Sequence, residues 1–199
     1  AIGFAFTLLF LRMRITGSYY YLFLVWNLFL AGIPFAISQF LLANQKLRSH
    51  KIVSYIGFIT WLLFLPNSPY IITDFVHLTV DGSNLMWLDI VLVFTYALTG
   101  LILGLVSMID MAELLSARYN PRIAKYVIFK VSILCGYGIY LGRFLRFNSW
   151  DITTKPGDLF LQIARSIYEP NVWLITIAFG GFLWILYAIL QAINYRNIK

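Results

Sequence analysis

The chain has 199 residues, of which 61% are hydrophobic and only 12% charged, with a formal net charge of +7. A water-soluble domain is nearer half apolar and a quarter charged, so this composition excludes an ordinary soluble protein and assigns the surplus apolar surface to lipid. The basic residues lie in short segments between apolar runs, a pattern that orients helices in a bilayer and argues for lipid partners and against nucleic acid.

Taken in chain order, Ala1 to Leu11 is apolar and closes on Arg12 and Arg14. It is too short to span by itself and reads as the end of a first helix whose beginning is missing; with no basic n-region or cleavage site, a signal peptide fits less well. Tyr19 to Leu42 is a second span, with a kink expected at Pro34 because proline removes a backbone donor. The third segment is broken. Ile52 to Leu65 reaches only about 21 Å, short of the ~30 Å hydrocarbon core, before Pro66-Asn67-Ser68-Pro69 interrupts it. Pro66 ends one helix there, and Ser68 as N-cap with Pro69 at N1 starts another that runs to about Val80 and stops at Asp81-Gly82.

Met86 to Met111, Tyr126 to Leu145 and Val172 to Ile193 complete a single transmembrane domain over residues 1–199: an all-α, polytopic helical bundle of about six spans. Asp158 to Tyr168 carries an apolar stripe suited to an interfacial helix before the last span. Gly100/Gly104 and Gly138/Gly142 are small-xxx-small pairs that permit close helix packing. Tyr19, Tyr20, Tyr21, Trp87, Trp150 and Trp173 sit near segment ends, as interfacial anchors do. Cys135 is the only cysteine, inside an apolar run, and reads as a packed thiol.

Lys46, Arg48, Lys51, Arg118, Arg122, Lys125, Arg196 and Lys199 fall on one side of such a bundle, and Arg12, Arg14, Arg143, Arg146, Lys155 and Arg165 on the other. The excess on the first side puts both termini in the cytoplasm and the chain in a cell inner (plasma) membrane. Whichever sign holds, the break after Leu65 and the polar end of the fifth span open on the same side.

Two polar groupings could carry chemistry there. At helical spacing Asp74, His77 and Asp81 share a face. Asp74 and His77 could act as an acid–base pair, and with Asp81 they could hold a divalent cation, although a solvated helix end would display the same residues. In Gly142-Arg143-Phe144-Leu145-Arg146-Phe147-Asn148-Ser149-Trp150-Asp151, Arg143 and Arg146 are spaced to share a helix face. With Asn148 and Asp151 they form a candidate substrate-binding set, because guanidinium forks grip phosphate or carboxylate; snorkelling arginines are the plain alternative. Asn27 and Gln39 suit interhelical hydrogen bonds. Asp89 is placed to join the same pocket, while Asp110 and Glu113, near Arg118 and Arg122, suit a solvated charge cluster.

The stretch Leu65-Pro66-Asn67-Ser68-Pro69-Tyr70-Ile71-Ile72-Thr73-Asp74-Phe75-Val76-His77-Leu78, together with Trp26-Asn27 and the Gly142–Asp151 motif, resembles the bacterial multi-pass membrane proteins of the domain of unknown function 1361 family. The resemblance runs over nearly the whole chain and implies membrane location and helix number, without an activity. Three functions fit the residues: an enzyme acting on a lipid-linked or phosphorylated substrate at the outer interface, a non-catalytic subunit with membrane-protein partners, or a small-solute transporter. The charges cluster near one interface rather than the bilayer midplane, which counts against the third.

Overall fold

The computed structural model describes residues 1–46, 50–79 and 85–197. It is 88% helical, with no strand among the described residues. Its helices are α1 (Ile2–Thr16), α2 (Phe23–Ala43), α3 (Lys51–Phe64), α4 (Asn67–Tyr70), α5 (Met86–Arg118), α6 (Pro121–Arg143), α7 (Asp151–Thr154), α8 (Pro156–Ser166) and α9 (Pro170–Asn197). A 3₁₀ segment, Ile71–Thr79, continues α4.

Five stretches among the described residues are long and apolar enough to cross a membrane: Tyr20–Ala43, Lys51–Leu78, Met86–Arg118, Pro121–Arg143 and Pro170–Asn194. That is one fewer than the sequence suggests, because α1 has only 15 residues, about 22 Å of helix. The element starts follow local chemistry. Asn120 caps α6 by accepting the Ile123 N–H at 2.8 Å, with Pro121 at the first helical position. Gly17, at φ 66°, ends α1 in the left-handed conformation glycine adopts without steric cost. Two apolar clusters fill the bundle. One centres on Trp61, Met108, Ile128 and Tyr187, and the other on Tyr21, Leu24, Ile71, Leu92 and Tyr96. Cys135 is fully buried in the first.

The interruption at Pro66–Pro69 is a tightening of the helix rather than a reversal. Leu65 and Pro66 keep right-handed dihedrals, but the Ser68 N–H turns to Leu65 O at 3.0 Å, three residues back. An α ladder would have sent that N–H to Phe64 O. The freed Phe64 carbonyl instead accepts from Asn67 Nδ2 at 2.9 Å. Ser68 is therefore not the N-cap its position suggests. It lies inside the bundle, and its hydroxyl donates across to Ala31 O at 3.1 Å.

Beyond Tyr70 the chain runs for nine residues as 3₁₀ helix, although such runs rarely exceed three or four residues. From Ile71 to Thr79 the expected α-helix is thus replaced by a tighter coil, while Val80 lies outside the described residues. Glycines from two neighbours close on this stretch. A Cβ on Gly104 would fall 2.5 Å from Ser68 Cβ, and one on Gly138 would fall 2.5 Å from Pro66 Cγ. Both small-residue pairs of the sequence thereby serve one purpose, seating the segment that carries Asp74 and His77.

Because α2, α5 and α9 begin, and α3 and α6 end, at the same end of the bundle, Phe23, Ile71–Thr79, Asp89, Arg143 and the α7–α8 region share that end.

Candidate functional site

In a 3₁₀ helix residues three apart eclipse one another, so Ile71, Asp74 and His77 form one edge. That edge passes from the core to the surface: Ile71 and Asp74 are buried, and the His77 side chain is one-third exposed. The Asp74 carboxylate is engaged on both oxygens. Oδ2 accepts from Asn27 Nδ2 at 2.8 Å, and Oδ1 accepts from Arg143 Nη1 at 3.4 Å. Arg143, at the last turn of α6, also sets Nη1 and Nη2 at 3.4 and 3.5 Å from His77 Nε2.

A guanidinium holds only donors. The contact therefore assigns His77 Nε2 as acceptor and puts the ring hydrogen on Nδ1, which faces the Tyr20 hydroxyl at 3.2 Å. The rings of Phe23 and Tyr20 meet the imidazole edge-on at 5.2 and 6.3 Å. The three Arg143 contacts are long beside the 2.7–2.9 Å of a tight charge-assisted bond. Arg143 thus lies between Asp74 and His77, in contact with both.

The structure therefore brings Asp74, His77 and Arg143 together and leaves Arg146 out. The spacing suggested that the two arginines share a helix face, but α6 ends between them. The Phe147 N–H bonds back to Leu141 O at 3.0 Å, and Arg146 takes φ 59°. This bond, reaching six residues back with a left-handed residue just before its donor, turns the chain out of the helix. It sends Arg146 to a separate surface hollow beside Asp151, Lys155 and Asp158.

Asp151 is equally removed from the cluster. Its Oδ2 accepts the Asn148 N–H at 2.7 Å and its Oδ1 the Thr154 hydroxyl at 2.9 Å, so it shapes its own loop. These bonds, the backbone one foremost, hold its carboxyl below the usual range. A lowered carboxyl contributes stability that is fully present above its unfolded value of about 3.9 and is lost as pH falls through the folded value. Amide exchange across residues 148–155, corrected for intrinsic rates, should accelerate on acidification, and Asp151→Asn should show the fast exchange at neutral pH. Identical exchange in both proteins would remove Asp151 from the role of loop organiser.

Three other acidic positions need separate placement. Asp89 does not join the cluster; it pairs with Arg12, whose Nε and Nη2 reach its two oxygens at 2.6 and 3.1 Å. Both side chains are buried, and the Arg12 guanidinium lies 5.3 Å from the Tyr21 ring centre. Asp110 is buried rather than solvated, accepting from Ser38 Oγ at 2.7 Å and Gln39 Nε2 at 2.8 Å. Asp81 lies outside the described residues, and among those described no group of three or more metal-ligating side chains is gathered. Next to Asp74, the positive charge comes from Arg143.

Beside the cluster a cleft of about 340 Å³ opens between α2, α3, α6, α8 and the loop after α6. Asn27 belongs to both, lining the cleft and bonding Asp74. The roles of Tyr20, Phe23 and Asn67 escaped the sequence reading. Asn27 did carry a signal, an amide placed within an apolar span.

The family described as "Protein of unknown function (DUF1361)" matches residues 26–186, well over half of the chain. No curated protein and no solved structure matches significantly.

Proposed function

We propose that this chain, which belongs to the DUF1361 family, is a membrane-embedded enzyme that acts at one bilayer interface on a lipid-linked or phosphorylated substrate. The observation that carries the proposal is the meeting of Asp74 and His77 with Arg143, from spans 69 and 66 residues apart, with the carboxylate buried and the imidazole and guanidinium reachable. Charges at membrane depth are costly and tend to mark function.

In this reading Arg143 turns from its long contacts to grip the anionic group, which releases His77 Nε2. The imidazole, oriented by Tyr20, then takes a proton from an attacking hydroxyl or water. Asp74, fixed by Asn27, positions Arg143 and balances its charge. With the Lys/Arg excess on the opposite side of the bundle, the site faces outward from a plasma membrane.

Mass-spectrometric profiling of vesicles made from total membrane lipid tests this directly. Wild-type protein should convert at least one phosphorus-containing lipid, and His77→Ala should slow that conversion by about a hundredfold or more, since general acid–base groups contribute roughly 10²–10⁴-fold, with an unchanged melting temperature. Arg143→Lys should weaken substrate binding more than turnover, through loss of the two-pronged grip. Identical lipid profiles with wild type, His77→Ala and empty vesicles would overturn the proposal. The competing reading, a brace within a non-catalytic subunit, draws on the double engagement of Asp74. It expects His77→Ala to alter stability alone.

A further inference from the structure

The geometry points to the cleft beside Asn27 as the seat of one apolar chain of a membrane phospholipid, with the headgroup at its loop-side rim. The proposal rests on the reading of Asp74, His77 and Arg143 as the reacting groups only in calling that lipid the substrate; occupation of the cleft is a separate claim.

Polarity along the walls follows the bilayer normal. On α2, Asn27 lies near the loop-side end, and Leu30 lies one turn deeper. On the broken span, Asn67 and Tyr70 lie toward that end, with Leu62 and Leu63 below them. On α6, Gly142 adjoins Arg143, while Leu134 lies about 13 Å further in. The α2 wall and the broken span thus run in the same order, amides and a phenol at the interface and leucines toward the membrane centre, and Leu134 ends the α6 wall at depth in the same way, as an amphiphile lying along the normal requires.

The rim can still accept a ligand. The side-chain nitrogens of Asn27 and Asn67 are spent on Asp74, Phe64 O and Ser149 Oγ. Neither amide oxygen receives a hydrogen bond among the described residues, so both are open to a hydroxyl of a headgroup. Leu134, on the deep wall, is half exposed, which opens the cleft sideways to lipid. The volume, about 340 Å³, is in the range of sites that hold small ligands, roughly 300–1,000 Å³. A chain could enter from the bilayer without crossing water, and Asn27 would place its headgroup next to Asp74.

Reconstitution into phosphatidylglycerol vesicles carrying a mid-chain diazirine provides the test. On irradiation, Leu62, Leu63 and Leu134 should be labelled several-fold above the outer-surface residues Phe94 and Ile177. Filling the mouth with Leu134→Trp, or separately Ile163→Trp, should cut labelling at Leu62 and Leu63 at least fivefold and leave Phe94 and Ile177 unchanged. Cleft labelling no higher than at Phe94, or insensitive to both tryptophans in folded protein, would overturn the inference. Cleft labelling that persists in a protein whose lipid profile is unmoved by His77→Ala would sink the enzymatic reading and leave the chain site standing.

Discussion

Asp89→Leu should destabilise the bundle by about 3–5 kcal/mol, the usual cost of stranding one partner of a buried ion pair. Arg12 and Asp89 meet through two N–H···O contacts with almost no solvent access. The Arg12 guanidinium also donates to the Thr16 hydroxyl. A guanidinium cannot shed its proton, so loss of Asp89 leaves a full charge in a buried position beside the Tyr21 ring. Arg12→Met should be milder, because an orphaned carboxyl can take up a proton. The double variant Arg12→Met/Asp89→Leu should recover most of the loss, since apolar side chains of similar volume often replace a buried pair at little cost. Reversible unfolding in mixed micelles, arranged as a double-mutant cycle, measures the coupling. If Asp89→Leu costs less than about 1 kcal/mol, as exposed pairs do, the pair is hydrated and α1 is tied to α5 by apolar contacts alone.

This pair also shows what local spacing cannot reveal. Composition sufficed for the membrane class, because apolar runs and interfacial charges act through solvent and need no knowledge of neighbours. The break was legible for a similar reason: Pro66 and Pro69 each delete a backbone donor wherever they sit. The form of the break was not legible. Nine residues of 3₁₀ helix depend on Asn67 reaching the Phe64 carbonyl and on Gly104 and Gly138 admitting Ser68 and Pro66, and these are tertiary events.

Charge partners divide along the same line. That Asp74, His77 and Arg143 share a side follows from counting spans, but which cation meets which carboxylate follows from packing. Asp89 took Arg12 and left Arg143 to Asp74. Asp110 took neutral donors from α2, Ser38 and Gln39, in place of Arg118 and Arg122. Arg146 leaves the Arg143 face because the chain turns out of α6 through a left-handed residue, a position usually marked by glycine or asparagine and here held by an arginine.

Gly138→Ala should disable the cluster of Asp74, His77 and Arg143 without altering any of the three. The added Cβ would stand 2.5 Å from Pro66 Cγ and 2.9 Å from Pro66 Cβ, closer than carbon atoms approach, and a proline ring cannot swing aside as a flexible chain can. Either α6 retreats or the 65–70 stretch moves. Overpacking of this kind costs about 1–3 kcal/mol, against a gain of up to ~1 kcal/mol from the better helix propensity of alanine. Any shift of Pro66 passes to Asn67, whose bonds to Phe64 O and Ser149 Oγ hold the break, and on to Asp74 and His77. Because Arg143 sits on α6 itself, both sides of the 3.4 Å contact move relative to each other. The melting temperature should therefore fall by a few degrees, and lipid conversion should drop well beyond what that loss of folded protein explains. Gly181→Ala is the matched control: a Cβ there meets nothing within 4 Å, and the exchange should leave conversion unchanged and stability equal or slightly higher. A Gly138→Ala protein with wild-type melting and wild-type conversion would show that the seat of the break tolerates a methyl group, and that the position of Asp74 and His77 does not depend on it.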